Sequence, residues 1–160
     1  MNTTALEPSV DVFQTSAQQA FYLRAQALGA RPLFAALTLP VARPVDARAL
    51  RGALETLGQR HEILRTLYRR LPGMKWPVQS LCAGLPLTLL GSQPSVAEAL
   101  SRSREVMIED SNQALVVAQV EDEAGQPFIT LLAPACSIDE ASLRVLASEL
   151  GSLLLSLIHI

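Results

Sequence analysis

The stretch Pro134-Ala135-Cys136-Ser137-Ile138-Asp139-Glu140 joins an apolar run, Phe128-Ile129-Thr130-Leu131-Leu132, to a leucine-rich segment that begins near Asp139. The run before it has the length and β-branched content of a buried strand. After it, Leu143, Leu146, Ala147, Leu150, Leu153 and Leu154 recur at helical spacing and predict one buried stripe. Asp139 suits the first position of that helix, since its carboxylate can accept from exposed backbone N–H groups and complements the helix dipole. Ser137 and Glu140 repeat the spacing of a capping box. The unit is therefore strand, tight loop, helix.

Upstream, Leu115 to Val120 and Phe128 to Leu132 flank Glu123-Ala124-Gly125-Gln126, a hairpin pattern in which Gly125 is free to take positive φ. Ser95 and Glu98 open a helix that reaches about Ile108. Leu50, Ala53, Leu54 and Leu57 sit at i, i+3, i+4 and i+7 of a helix running from Asp46 to about Arg60. Gly52 costs that helix about 1 kcal/mol relative to alanine, which a close helix–sheet approach would explain. Ser16 caps a first helix to about Leu28, ended by Gly29 and Pro32. Leu33 to Leu39 reads as a strand stopped by Pro40. Ile63 to Arg69 reads as another, with Leu64, Thr66 and Tyr68 on one face. Pro72-Gly73 makes a turn, and short extended pieces follow at Val78–Leu81 and Leu87–Leu89. This mixed order predicts an α+β fold, helices packed on a mostly antiparallel sheet.

The bulk figures suit one globular domain: 160 residues, 49% apolar, net charge −2. Nothing is basic enough for nucleic acid. Arg60, Arg65, Arg69 and Arg70 cluster, and read as a solvated strand end. Cys82 and Cys136 lie far apart and fit reduced thiols in a cytoplasmic protein. No Cys/His cluster has zinc spacing, so no metal is expected. The apolar tail carries Arg144, Glu149 and His159 and reads as a buried helix face, not a membrane span. Residues 1–11 lack periodicity and are expected to be a flexible lead-in. The last six residues, Leu155-Ser156-Leu157-Ile158-His159-Ile160, match the translation of a transposon end used as a sequencing adapter. On that reading His159 has no function and the native chain departs from this one near Leu155.

Three segments resemble the signature motifs of condensation domains of nonribosomal peptide synthetases. They are Thr15-Ser16-Ala17-Gln18-Gln19-Ala20-Phe21-Tyr22, Arg60-His61-Glu62-Ile63-Leu64-Arg65-Thr66-Leu67-Tyr68, and the loop ending at Asp139. The resemblance runs from about Val12 to Leu154 and implies an incomplete N-terminal lobe of the chloramphenicol-acetyltransferase-like sandwich. In that family a second lobe completes a tunnel in which two carrier-tethered thioesters meet. The third motif is HHxxxDG. Anchored on Asp139, its histidines fall on Pro134 and Ala135, and its glycine on Glu140. The second histidine assists amide formation, and Ala135 cannot replace it.

The resemblance gives Ser16, Gln18, Arg60, His61, Arg65 and Asp139 motif-structural roles. Asp139 would pair with Arg65 or Arg60, or cap the last helix alone. Gln18 and Gln19 would satisfy backbone groups near the tunnel. Cys136 lies near a helix N-terminus, which lowers a thiol pKa, yet no base lies nearby in sequence and a buried, inert cysteine is the better reading. The resemblance further implies a non-catalytic, condensation-like domain that docks carrier domains or a tailoring enzyme acting in trans. The alternative is an amide-forming domain that works without the histidine, by positioning alone; a third is a half-lobe of structural role. The expected partners are peptidyl or aminoacyl carrier domains, whose phosphopantetheine arm is the only cofactor implied, and an adenylation domain of the same assembly line. No nucleic-acid or membrane partner is expected. The short lead before the first motif implies a donor from another chain or a free substrate.

Overall fold

A computed structural model describes residues 8–158. The order is β1 (Pro8–Phe13), α1 (Ala17–Ala27), β2 (Phe34–Pro40), α2 (Ala47–Arg60), β3 (Thr66–Arg69), β4 (Val78–Cys82), β5 (Leu87–Gln93), α3 (Val96–Glu109), β6 (Leu115–Glu121), β7 (Pro127–Pro134) and α4 (Glu140–Ile158). The strands form two sheets. One has the order β2-β7-β6-β5, antiparallel except for the parallel pair β5 and β6; the other has the order β1-β4-β3 and is antiparallel throughout. The parallel pair needs a crossover, and α3 supplies it. The α+β architecture is as the sequence predicts.

The four-stranded sheet carries helices on both faces. Along β6, Leu115 and Val117 turn toward α2 and α4, while Val116, Ala118 and Val120 turn toward α3. Along β7, Ile129, Leu131 and Ala133 take the first face and Leu132 the second. Burial on both faces is why these two strands read as continuous apolar runs. The α2 stripe buries Leu50, Ala53, Leu54 and Leu57 against Leu143, Ala147 and Leu150 of α4. Each such leucine contributes about 1.5–3 kcal/mol. Asp46 caps α2 by accepting from the N–H groups of Arg48 and Ala49, both at 3.0 Å.

Three expectations change. Gly52 is exposed with open space around it, so no close approach explains it. The tight position is Gly58, where an added Cβ would lie 3.1 Å from Leu85 Cβ. Strand β3 is shorter than Ile63–Arg69, because Glu62–Arg65 form a 3-10 turn. That turn is held by the Thr66 hydroxyl on the Glu62 carbonyl and by the Arg65 guanidinium on the carbonyls of Gly58 (2.9 Å) and Cys82 (2.7 Å). Alternating apolar residues carry no record of those bonds. Finally, Pro8–Phe13, partly inside the stretch read as a lead-in, pair with β4 through Val12↔Ser80 and Phe13↔Gln79. The partner strand is distant in sequence, so local periodicity could not show it. Leu155–Ile158 continue α4, and His159 and Ile160 lie outside the described residues.

Candidate functional site

The loop after β7 is fixed by backbone bonds at both ends. Pro134 is the last residue of β7 and pairs with Phe34 of β2. The Ala135 N–H donates to the Leu33 carbonyl (2.9 Å), and the N–H groups of Ser137 and Ile138 donate to the Pro134 carbonyl (3.0 and 3.1 Å). Ile138, 2% exposed, pins the loop into the main core. Asp139 then caps α4, its Oδ1 accepting from the Ser142 N–H at 2.7 Å. Hydrogen bonding from the Ser142 hydroxyl first, and from this N–H second, holds its carboxyl below the usual range.

The Ser137–Glu140 capping box is not the one used. Glu140 reaches forward to Arg144, one turn on. The Ser137 hydroxyl turns the other way and donates to Tyr68 Oη at 3.0 Å. Tyr68 also accepts from Gln19 Nε2 at 3.1 Å. Gln19 is held by the cap of α1: its Oε1 accepts the Ser16 N–H at 2.8 Å, while its own N–H donates to Ser16 Oγ at 3.2 Å. Its Nε2 also faces Gln79 Oε1 at 3.4 Å, and Gln79 Nε2 donates to the Gln14 carbonyl. One residue from each of the three segments singled out in the sequence therefore meets at a single hydrogen-bonded cluster.

The members are not the ones expected. Gln18 is exposed; its neighbour Gln19 does the work. His61 faces α4, where its Nε2 lies 3.0 and 3.1 Å from the Glu149 carboxylate oxygens, with Arg60 3.6 Å from the same group. The His61 hydrogen bond, more than any other contact, holds the Glu149 carboxyl below its ordinary range. Arg65 is committed to two carbonyls and Arg60 to Glu149, so neither expected ion pair with Asp139 is formed. The arginine cluster is likewise not one solvated patch: Arg70 is exposed, whereas Arg69 is half-buried with an unpartnered Nε. The Ser16-x-x-Gln19 spacing was the sequence signal that could have found Gln19. No local pattern marks Tyr68, since its partners come from α1 and the β7–α4 loop.

The cluster lies on the wall of a cleft of about 250 Å³. Leu23 and Gln26 of α1, Leu33 and Phe34, Tyr68 of β3, Met107 of α3, and Pro134, Cys136 and Ser137 are among its lining residues. Among the described residues, no Asp, Glu, Lys, Arg or His lines it. Burial pushes Tyr68 up to about 12, and burial raises the Cys136 thiol as well. Cys136 precedes the first residue of α4 by four positions. Burial is the largest influence on the thiol and disfavours its thiolate form. A roomier apolar groove, about 490 Å³, lies at the Leu39–Pro40 end of β2 beside Gly151 and Leu154. The length of β2 separates it from the loop, roughly 20 Å. Among the described residues no group of His, Cys, Asp and Glu is placed to hold a metal ion, and no helix is long and apolar enough to cross a membrane.

Solved structures share this fold. The starter condensation domain of rhizomide synthetase, in a mutant form, superposes with a TM-score of 0.66 at 14% identity, covering 93% of this chain and 38% of that one. The epimerization domain from the third module of tyrocidine synthetase B gives 0.64 at 15% identity, covering 96% and 37%. The condensation domain of the Monacolin K polyketide synthase gives 0.61 at 14%, covering 78% and 30%.

The chain has a condensation-domain-like fold.

It spans about a third of the length of those solved chains. No protein-family profile matches it, and neither does any curated protein. The condensation-like fold places the cleft where α1, β3 and the β7–α4 loop converge, and Ala135 stands in that loop beside the cleft's Pro134 and Cys136.

Proposed function

We propose that this chain is part of a condensation-like domain of a peptide-synthetase assembly line that binds rather than catalyses. It would receive a carrier-tethered aminoacyl or peptidyl group, or present one to a tailoring enzyme, without itself forming the amide bond. One observation carries the reading: among the described residues, no His, Asp, Glu or Lys lines the cleft beside Ala135. A general base must lie within hydrogen-bonding reach of the attacking amine and have a pKa near the working pH. Tyr68, up at about 12, stays protonated, and the Cys136 thiol is raised. His61 is engaged by Glu149 on the α2–α4 side. Solved relatives in fold include condensation and epimerization domains of synthetases, which supports placing the chain among assembly-line proteins.

The test is a titration of the protein with aminoacyl-loaded carrier domain, read by NMR, beside an assay for amide product. The expected result is saturable binding with no product, and binding unchanged in Ala135→His. Amide product from the wild-type protein would overturn the reading in favour of catalysis by positioning alone. Absence of carrier binding at millimolar concentration would remove the docking role.

A further inference from the structure

We propose that the loop between β3 and β4, with the exposed side of α1 beside it, is a docking surface for an acidic protein partner, centred on Arg24, Arg70, Lys75 and Trp76. The proposal concerns the outer surface and holds whatever the cleft binds.

Charge in this chain is segregated. Segments 12–45 and 63–97 together contain seven Lys and Arg residues and no Asp or Glu. The rest of the chain carries six Lys and Arg and all fifteen acidic residues. The net charge of −2 conceals this division. Tertiary structure brings parts of the two acid-free segments together. Gln19 of α1 donates to Tyr68 of β3, and the Arg24 guanidinium lies 4.5 Å from the Trp76 ring centroid. Lys75 Nζ lies 5.3 Å from the same centroid. Arg70 and Lys75 line one shallow concavity at the loop tip, together with exposed Met74. Arg24, Arg70 and Lys75 are all exposed. The ion pairs among the described residues join Arg60 and His61 to Glu149, Arg102 to Glu105 and Arg144 to Glu140, so none serves these three cations. Cations gathered without counter-charge repel one another, and the Trp76 ring, by attracting two of them, offsets only part of that. A surface bearing carboxylates would offset the rest.

The surroundings favour a protein over a nucleic acid or an anionic membrane. Single-stranded nucleic acid is gripped by stacking on free aromatic faces, and Arg24 already stacks on the chain's one tryptophan. The patch is a single loop and one turn of helix. The rest of the chain is rich in acid and would repel a long polyanion or a charged lipid plane. A folded acidic protein presents carboxylates over a limited area, and complementarity of that kind fixes register and speeds encounter.

The experiment uses the full chain at low ionic strength, an acetylated and amidated hexaglutamate peptide as probe, and backbone-amide NMR as the readout. Wild type should bind in the millimolar range, with saturable shifts confined to α1 and the β3–β4 loop, and added salt should weaken the binding. The double variant Arg70→Gln, Lys75→Gln should weaken the peptide about fivefold, the scale of two exposed charge contacts. Arg102→Gln with Arg104→Gln removes as much charge from α3 and should leave affinity within about twofold. An equal effect of the two pairs, or shifts spread over the whole surface, would mean that only net charge matters and overturns the proposal. So does the absence of saturable shifts in wild type. Hexathymidylate, of similar charge, should bind more weakly than the peptide. Binding as tight or tighter would assign the surface to nucleic acid and overturn the protein partner. Neither probe is a carrier-tethered group, so carrier docking at the cleft is a separate result.

Discussion

Helices α2 and α4 on one side, and α1 on the other, are held by different forces. Around the four-stranded sheet, α2 and α4 are held by apolar burial: Leu50, Leu54 and Leu150 are at most 1% exposed. By contrast, α1 buries no residue at all, with Phe21 71% and the C-cap residue Leu28 86% exposed. What ties α1 down is polar: Gln19 on Tyr68, and Arg24 stacked 4.5 Å from the Trp76 ring centroid. Yet α1 forms a wall of the cleft through Leu23 and Gln26. The apolar-packed region thus supplies the β7–α4 loop, and α1 supplies the wall opposite. Binding surfaces are commonly drawn from such low-stability segments.

The comparison can be broken most directly at the core. Leu50→Ala should cost about 3 kcal/mol, within the range for buried leucine truncation, measured by denaturant unfolding. A loss below about 1 kcal/mol would show that α2 is not held by burial. The helix caps sharpen the contrast. Asp46→Ala should remove about 1 kcal/mol of global stability, because α2 unfolds with the core. Ser16→Ala breaks a cap of similar chemistry but should leave the global midpoint nearly unchanged and speed amide exchange within α1. Gly52→Ala should gain up to about 1 kcal/mol, since that position is open. The same change at Gly58 should gain less, because the new methyl meets Leu85. Phe21→Ala, on the exposed face of α1, should shift stability by less than about 0.5 kcal/mol.

The smallest effect is at the edge of the α2–α4 contact. Glu149 is held below its ordinary value of 4.5 by His61. A depressed carboxyl contributes stability above its unfolded pKa and loses it as pH falls through the lower folded value. Unfolding midpoints measured below pH 4.5 should therefore fall less steeply in Glu149→Gln than in wild type. An identical acid limb in both would mean that the His61–Glu149 contact contributes nothing in solution.

Much of the apolar-packed region was legible because its determinants are local. The α2 stripe, the Asp46 cap and the hairpin turn at Gly125, with φ +77°, depend on residues a few positions apart. The same is true of Asp139 as the cap of α4. The Ser16-x-x-Gln19 box was also in plain view, but only half of its meaning was local. Sequence placed Ser16 at the helix start; it did not show that the box orients the Gln19 amide toward a tyrosine 49 positions away.

By itself, then, the sequence determined the elements, the α+β class and the absence of histidine at Pro134 and Ala135. Only the tertiary structure decided that β1 joins β4, that Arg65 serves backbone carbonyls rather than Asp139, and that Gln19, Tyr68 and Ser137 form one cluster. Periodicity and capping are short-range and leave a pattern in neighbouring letters. A side-chain hydrogen bond between distant elements lasts only 3 Å and leaves none.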